Sequence, residues 1–212
     1  MTEPTAPGDL ELAALVSSRI CHDVINPIAA ISNGLEMLGE DPDQAMRDSA
    51  MDLIRKSAAQ ASAKLQFARL AFGSAGSAGA EIDLGDAARV ARDFVGGSGK
   101  HDIEWQGPAA TLPRDKVKLL LNLVALGVVA LPRGGTIRVE IEGNPPAVSF
   151  AVKAAGNAAQ LADQVRSVLS GGNGEALDTR SIQPYYTKRI AAAAGMTVTA
   201  EAGEGEVVFR AS

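Results

Sequence analysis

Cysteine occurs once, at Cys21. A single thiol excludes an internal disulfide and any cysteine-built metal cluster, and it fits a reducing, cytoplasmic location. Cys21 lies near an apolar helical stripe and is expected to pack in the core rather than to sense redox state. Aromatic residues are also scarce, at 4% of the 212 residues, so close packing falls to the abundant Ala and Gly. Basic residues are outnumbered, 20 Lys and Arg against 25 Asp and Glu, for a net charge of −5. That balance argues against a primary nucleic-acid role, which needs a basic surface, and no basic cluster offsets it. The longest nearly apolar run, 119–131, is interrupted by Asn122 and is too short to cross a bilayer. Residues 1–8 lack the basic and apolar regions of a signal peptide and read as a short disordered tail.

What the chain does have is apolar content, 46%, enough to bury the core of one large or two small domains. Its most informative stretch is Ile20-Cys21-His22-Asp23-Val24-Ile25-Asn26-Pro27-Ile28, inside a helical pattern over 9–39. At 100° per residue from His22, the residues Ile20, Val24, Ile28, Ile31, Leu35 and Leu38 fall between roughly 160° and 240°. His22 therefore points away from the apolar stripe, among Ser18, Arg19, Asn26, Ala29 and Asn33, on a face open to another molecule.

The surrounding residue types suit phosphoryl chemistry on an imidazole. One ring nitrogen attacks only while the other carries the proton, and Asp23 is the carboxylate placed to hold that tautomer. Asn26, one turn on, can hydrogen-bond a phosphoryl group or a water. Pro27 has no N–H, so the Asp23 carbonyl loses its intrahelical partner and the helix is free to bend beside the histidine. His22-Asp23-Val24-Ile25-Asn26-Pro27-Ile28 resembles the H-box of dimerising sensor histidine kinases, and its six constrained positions all fit.

A second helical pattern runs over 44–72, after a turn at Asp41-Pro42-Asp43, with Met46, Ala50, Leu53, Ser57, Ala61, Leu65, Ala68 and Phe72 at spacings of three and four. The two helices form an antiparallel hairpin over 9–72 with a long apolar face. Two copies related by a two-fold axis would bury those faces as a dimeric four-helix bundle, as in the kinase family; packing of the hairpin against its own C-terminal part is the alternative. A small-residue linker, 73–80, precedes an α/β sandwich over 81–212. Its expected elements are helices at 84–95, 113–131, 158–170 and 179–194, strands at 103–106, 136–142 and 147–153, and a closing hairpin of 197–200 with 206–210. The fold class is thus α+β.

The order of these elements resembles the ATP-binding domain of histidine kinases. In that family a helix carries two asparagines four apart, the second of which holds Mg²⁺; here Asn122 matches the first, and Leu126 stands in the second place. Where the resemblance calls for an adenine-reading Asp-x-Gly-x-Gly, the chain has Ala154, Gly156 and Ala158. Where it calls for a glycine-rich phosphate loop, Ser181-Ile182-Gln183-Pro184-Tyr185-Tyr186 stands instead. Loss of all three leaves nothing to hold Mg²⁺-ATP. Gly134-Gly135 and Gly171-Gly172-Asn173-Gly174 read as turns, and His101 as an ordinary exposed loop histidine without metal partners.

Nearly the whole chain resembles the ChpT-type histidine phosphotransferases of a bacterial cell-cycle phosphorelay. That resemblance implies transfer from the receiver of a CckA-like hybrid histidine kinase to His22, and on to CtrA-like and CpdR-like response regulators. No intrinsic cofactor, metal or ATP is implied; Mg²⁺ belongs to the receiver. Receiver docking is expected on Arg19, Ile25, Asn26 and Ala29 of the first helix and on Leu65 and Arg69 of the second. An ATP-dependent histidine kinase and a non-catalytic receiver-binding adaptor are the alternatives.

Overall fold

The computed structural model describes residues 7–39, 42–73, 80–97, 99–171 and 181–212. Residues 1–6 of the expected N-terminal tail, most of the 73–80 linker and the glycines after Gly171 lie outside these residues. Two long helices come first, α1 (Asp9–Met37) and α2 (Gln44–Ala71). Asp43 caps α2 by accepting the Met46 N–H at 2.7 Å, which satisfies one of the free donors at the helix start. The hairpin seam is made of small residues: Ala50, Ser57, Ala61 and Ala68 of α2 are buried, as are Val24, Pro27 and Gly34 of α1. At Gly34 a Cβ would stand 2.6 Å from Ile54 Cγ1 and 3.3 Å from the Ala50 carbonyl oxygen, so glycine is what lets the helices approach.

The apolar stripe of α1 does not face one way. Val24 is buried against α2, while Ile28 and Leu35 at the stripe's edge are 49% and 57% exposed. Cys21, expected in the core, is exposed as well. On the wheel it lies about 60° beyond Val24, outside the sector that α2 covers.

The C-terminal part is a two-layer sandwich. A five-stranded sheet has the order β2-β4-β5-β7-β6, from β2 (His101–Gln106), β4 (Gly135–Asn144), β5 (Ala147–Ala155), β6 (Val198–Gly203) and β7 (Glu206–Ala211). β2 pairs parallel with β4, and the remaining pairs are antiparallel. Alternation along β5 buries Val148, Phe150, Val152 and Ala154, and the opposite face carries ion pairs such as Arg138–Glu104 and Lys153–Glu140. Over the buried face lie α3 (Leu84–Gly96) and α4 (Arg114–Ala130), with α6 (Ile182–Ala193) packed against α4, and α4 is buried on nearly every side. A helix with sheet below it and helices above has no wet face to keep polar.

Three expectations need correction. The helix expected over 158–170 is only α5 (Asp163–Leu169). The Gln160 N–H is taken by the Ala130 carbonyl and the Ala159 N–H by Gly156, so tertiary and turn bonds override local helix preference there. A two-stranded ribbon, β1 (Glu81–Asp83) with β3 (Thr111–Pro113), was not expected; three-residue strands carry no readable periodicity. His101 is no loop residue: it opens β2, half-buried, with Nε2 2.9 Å from the Leu131 carbonyl oxygen. Of the glycine pair expected to form a turn, Gly134 closes one by donating its N–H to the Leu131 carbonyl at 3.0 Å and Gly135 opens β4; both have positive φ, and a Cβ on Gly134 would clash with the Lys100 carbonyl.

Candidate functional site

His22 stands in the middle of α1 with its side chain 76% exposed. The helix turns Val24 and Pro27 toward α2, and that places the imidazole on the opposite side. Its Nδ1 lies 3.7 Å from Asp23 Oδ1, while Asp23 Oδ2 lies 3.9 Å from Arg19 Nε. Adjacent residues on a helix do not face each other, so Asp23 approaches the ring at an ion-pair distance rather than a hydrogen-bond distance. The expected tautomer-holding hydrogen bond is not formed.

Pro27 removes the N–H that would bond the Asp23 carbonyl, and the structure supplies another donor. Lys64 Nζ, from α2, reaches the Asp23 carbonyl oxygen at 2.8 Å. The turn carrying His22 is thereby tied across the hairpin, and α1 remains one helix through Pro27. Sequence reasoning passed over Lys64, because loop length does not set the register of two paired helices to within a turn.

Arg19, expected beside His22 on the docking face, folds inward instead, with its side chain only 18% exposed. Burial lowers the guanidinium below its ordinary pKa, and the Asp23 charge offsets part of that shift. Arg19, Asp23 and Lys64 border a small cavity of about 20 Å³ closed by Phe67, Phe94 and Gln183. The remaining docking candidates are exposed: Ile25, Asn26 and Ala29 on α1, and Leu65 and Arg69 on α2. Leu65 and Arg69 share an open groove of about 590 Å³ with Val16, Ile20 and Phe72. The α1 trio lies outside that groove, nearer the imidazole.

The C-terminal domain presses on the hairpin directly behind this site. Phe67 stacks on Phe94 of α3, with centroids 3.8 Å apart and planes at 15°. Asn122 of α4 is fully buried and donates to the Ala71 carbonyl at 3.1 Å and to the Lys118 carbonyl at 2.8 Å; its own oxygen accepts from Gln183 of α6. The Tyr186 hydroxyl bonds the Phe72 carbonyl at 3.4 Å. Ala154 is buried in β5, and a Cβ on Gly156 would meet the Gly134 carbonyl at 2.7 Å, so that loop is packed rather than open. Among the described residues no group of three or more His, Cys, Asp or Glu could hold a metal ion.

Residues 84–206 match the family described as Histidine phosphotransferase C-terminal domain. The chain is 43% identical over 212 residues, covering 100% of both proteins, to Protein phosphotransferase ChpT of Brucella abortus (strain 2308). It overlays the 1.7 Å structure of a bacterial phosphotransferase with a TM-score of 0.89, 42% identity and full coverage of both chains. The histidine kinase AdeS of Acinetobacter baumannii is a more distant likeness, with a TM-score of 0.48 and 11% identity over 90% of this chain and 95% of that one. By its matched domain and by its identity over full length, this chain belongs to the ChpT-type histidine phosphotransferase family.

Proposed function

We propose that the chain is the histidine phosphotransfer protein of a bacterial phosphorelay. It takes a phosphoryl group from the receiver aspartate of a CckA-like hybrid histidine kinase onto His22, and passes it to CtrA-like and CpdR-like response regulators of cell-cycle control. The observation that carries this reading is the outward imidazole, three-quarters exposed beside a carboxylate, in a chain of this family.

Nε2 of a neutral ring attacks the phosphorus of the receiver's aspartyl phosphate. The N–P bond forms as the P–O bond breaks, and the aspartate leaves as a carboxylate. The ring keeps its Nδ1 proton and becomes cationic. Asp23 at 3.7 Å stabilises that charge without a proton having to move. Mg²⁺ held by the receiver's own residues would supply charge stabilisation during the transfer, with no ligand from this chain. Return transfer runs the same path backwards, onto a second receiver's carboxylate. Ile25, Asn26, Ala29, Leu65 and Arg69 are the exposed surface on which a receiver docks, and Arg19 acts from behind it.

ATP has no part in this cycle. Asn122 is spent on the Ala71 and Lys118 carbonyls, and Gln183 is buried against it where a phosphate loop would be needed. The molecule works as a homodimer, in which the exposed edge of the α1 stripe, Ile28 and Leu35, is buried against a second copy. A cytoplasmic location suits its partners, and no helix among the described residues is long and apolar enough to cross a membrane.

The test mixes the purified protein with a radiolabelled phospho-receiver, as wild type and as His22→Ala. Label appears on the wild type and not on the variant. Label on His22→Ala refutes His22 as acceptor. Signalling output unaffected by His22→Ala would favour an adaptor. Heat on titration with Mg²⁺-ATP, followed by self-labelling, would favour a kinase.

A further inference from the structure

We infer that Lys64 is a positioning residue for phosphotransfer: its ammonium stands in for the backbone N–H that Pro27 removes, and so holds the turn that presents His22. The inference rests on His22 being the phosphoacceptor.

Pro27 inside α1 leaves the Asp23 carbonyl without its i+4 donor, one residue from the reacting ring. That turn would be free to tilt outward and take the imidazole with it. In-line attack on phosphorus needs the nitrogen held to within about half an ångström. Lys64 Nζ closes this gap at 2.8 Å with a charge-assisted bond. Lys64 is half-buried, along the wall shared with Arg19 and Phe67. Phe67, one turn further along α2, is stacked on Phe94, so the lysine is carried on a part of α2 that the C-terminal domain steadies. Lys64 thus connects that domain to the histidine without touching the phosphoryl group.

The experiment measures single-turnover transfer from a phospho-receiver over a range of receiver concentrations. Lys64→Met keeps the aliphatic stem and removes the donor; the maximal rate should fall about tenfold, the effect of one hydrogen bond to a charged group, with half-saturation unchanged. Lys64→Arg, which can still donate, should restore the rate to within about threefold of wild type. The decisive background is Pro27→Ala, which returns an N–H to the Asp23 carbonyl. Compared with Pro27→Ala alone, adding Lys64→Met should then cost less than about twofold. The ring-nitrogen resonances of His22 should shift in Lys64→Met and revert in the double variant. Should circular dichroism show Lys64→Met unfolded, Lys64→Leu, which likewise carries no donor, takes its place in every comparison.

A wild-type maximal rate in Lys64→Met overturns the inference. So does a raised half-saturation with the rate unchanged, which would make Lys64 a docking contact, and so does an undiminished loss in the Pro27→Ala background. Failure of the wild type itself to take label would strike at His22 as acceptor, a separate result from any of these.

Discussion

Replacing Asn122 by leucine tests whether this side chain is a structural joint between the two halves of the molecule. Leu has the same number of side-chain heavy atoms in the same branched arrangement as Asn, so the change is chiefly the loss of the polar groups. Three hydrogen bonds disappear: those to the Ala71 and Lys118 carbonyls and the one from Gln183. Lys118 is a helix-interior residue whose carbonyl keeps the backbone N–H of residue 122. The Ala71 carbonyl, at the end of α2, and the Gln183 amide are left buried without those partners. Each orphaned group costs about 1–3 kcal/mol, so Asn122→Leu should destabilise by about 2–6 kcal/mol. Asn122→Leu with Gln183→Leu removes one of the two orphans together with its donor, and should recover about 1–3 kcal/mol. Urea unfolding followed by fluorescence of Trp105, the single tryptophan, and by circular dichroism at the helix band measures both variants. A loss below about 1 kcal/mol for Asn122→Leu, or a double variant no more stable than the single, would refute the joint.

Three further outcomes are expected. Leu35→Glu places a charge on the exposed edge of the α1 stripe and should convert the proposed homodimer to monomer by light scattering at micromolar protein; a dimer in the variant places the interface elsewhere, and a monomeric wild type refutes the proposed dimer. Gly34→Ala gains about 1 kcal/mol of helix propensity but sets a methyl 2.6 Å from Ile54 Cγ1, so the hairpin should melt lower; a higher melting temperature would deny the close approach. Ile25→Glu, at a position 60% exposed, should raise half-saturation for a phospho-receiver at least about tenfold while leaving the melting temperature within about 2 °C, and unchanged half-saturation removes Ile25 from the docking surface.

Much of the architecture was legible because it rests on periodicity. Spacings of three and four drew α1 and α2 nearly to their ends, and alternation drew β4, β5 and the closing hairpin. The outward direction of His22 followed from the same arithmetic, since a helix fixes the angle between any two of its residues. Arg19 shows the limit of that arithmetic. Its backbone angle places it near His22, but a long side chain can fold along a groove, and only the neighbouring walls decide whether it does.

The H-box residues, the antiparallel hairpin and the departures at Leu126, Ala154 and Ser181 were determined by the chain alone, because each is a matter of residue type at a set spacing. The tertiary structure decided what no spacing encodes. It brought Lys64 to the carbonyl freed by Pro27, turned Arg19 inward, and gave Asn122 to the end of α2. The Lys64 and Asn122 contacts join residues 41 and 51 positions apart. Local periodicity sets directions along one element, and the meeting of two elements depends on register and packing, which arise only when the whole chain has closed on itself.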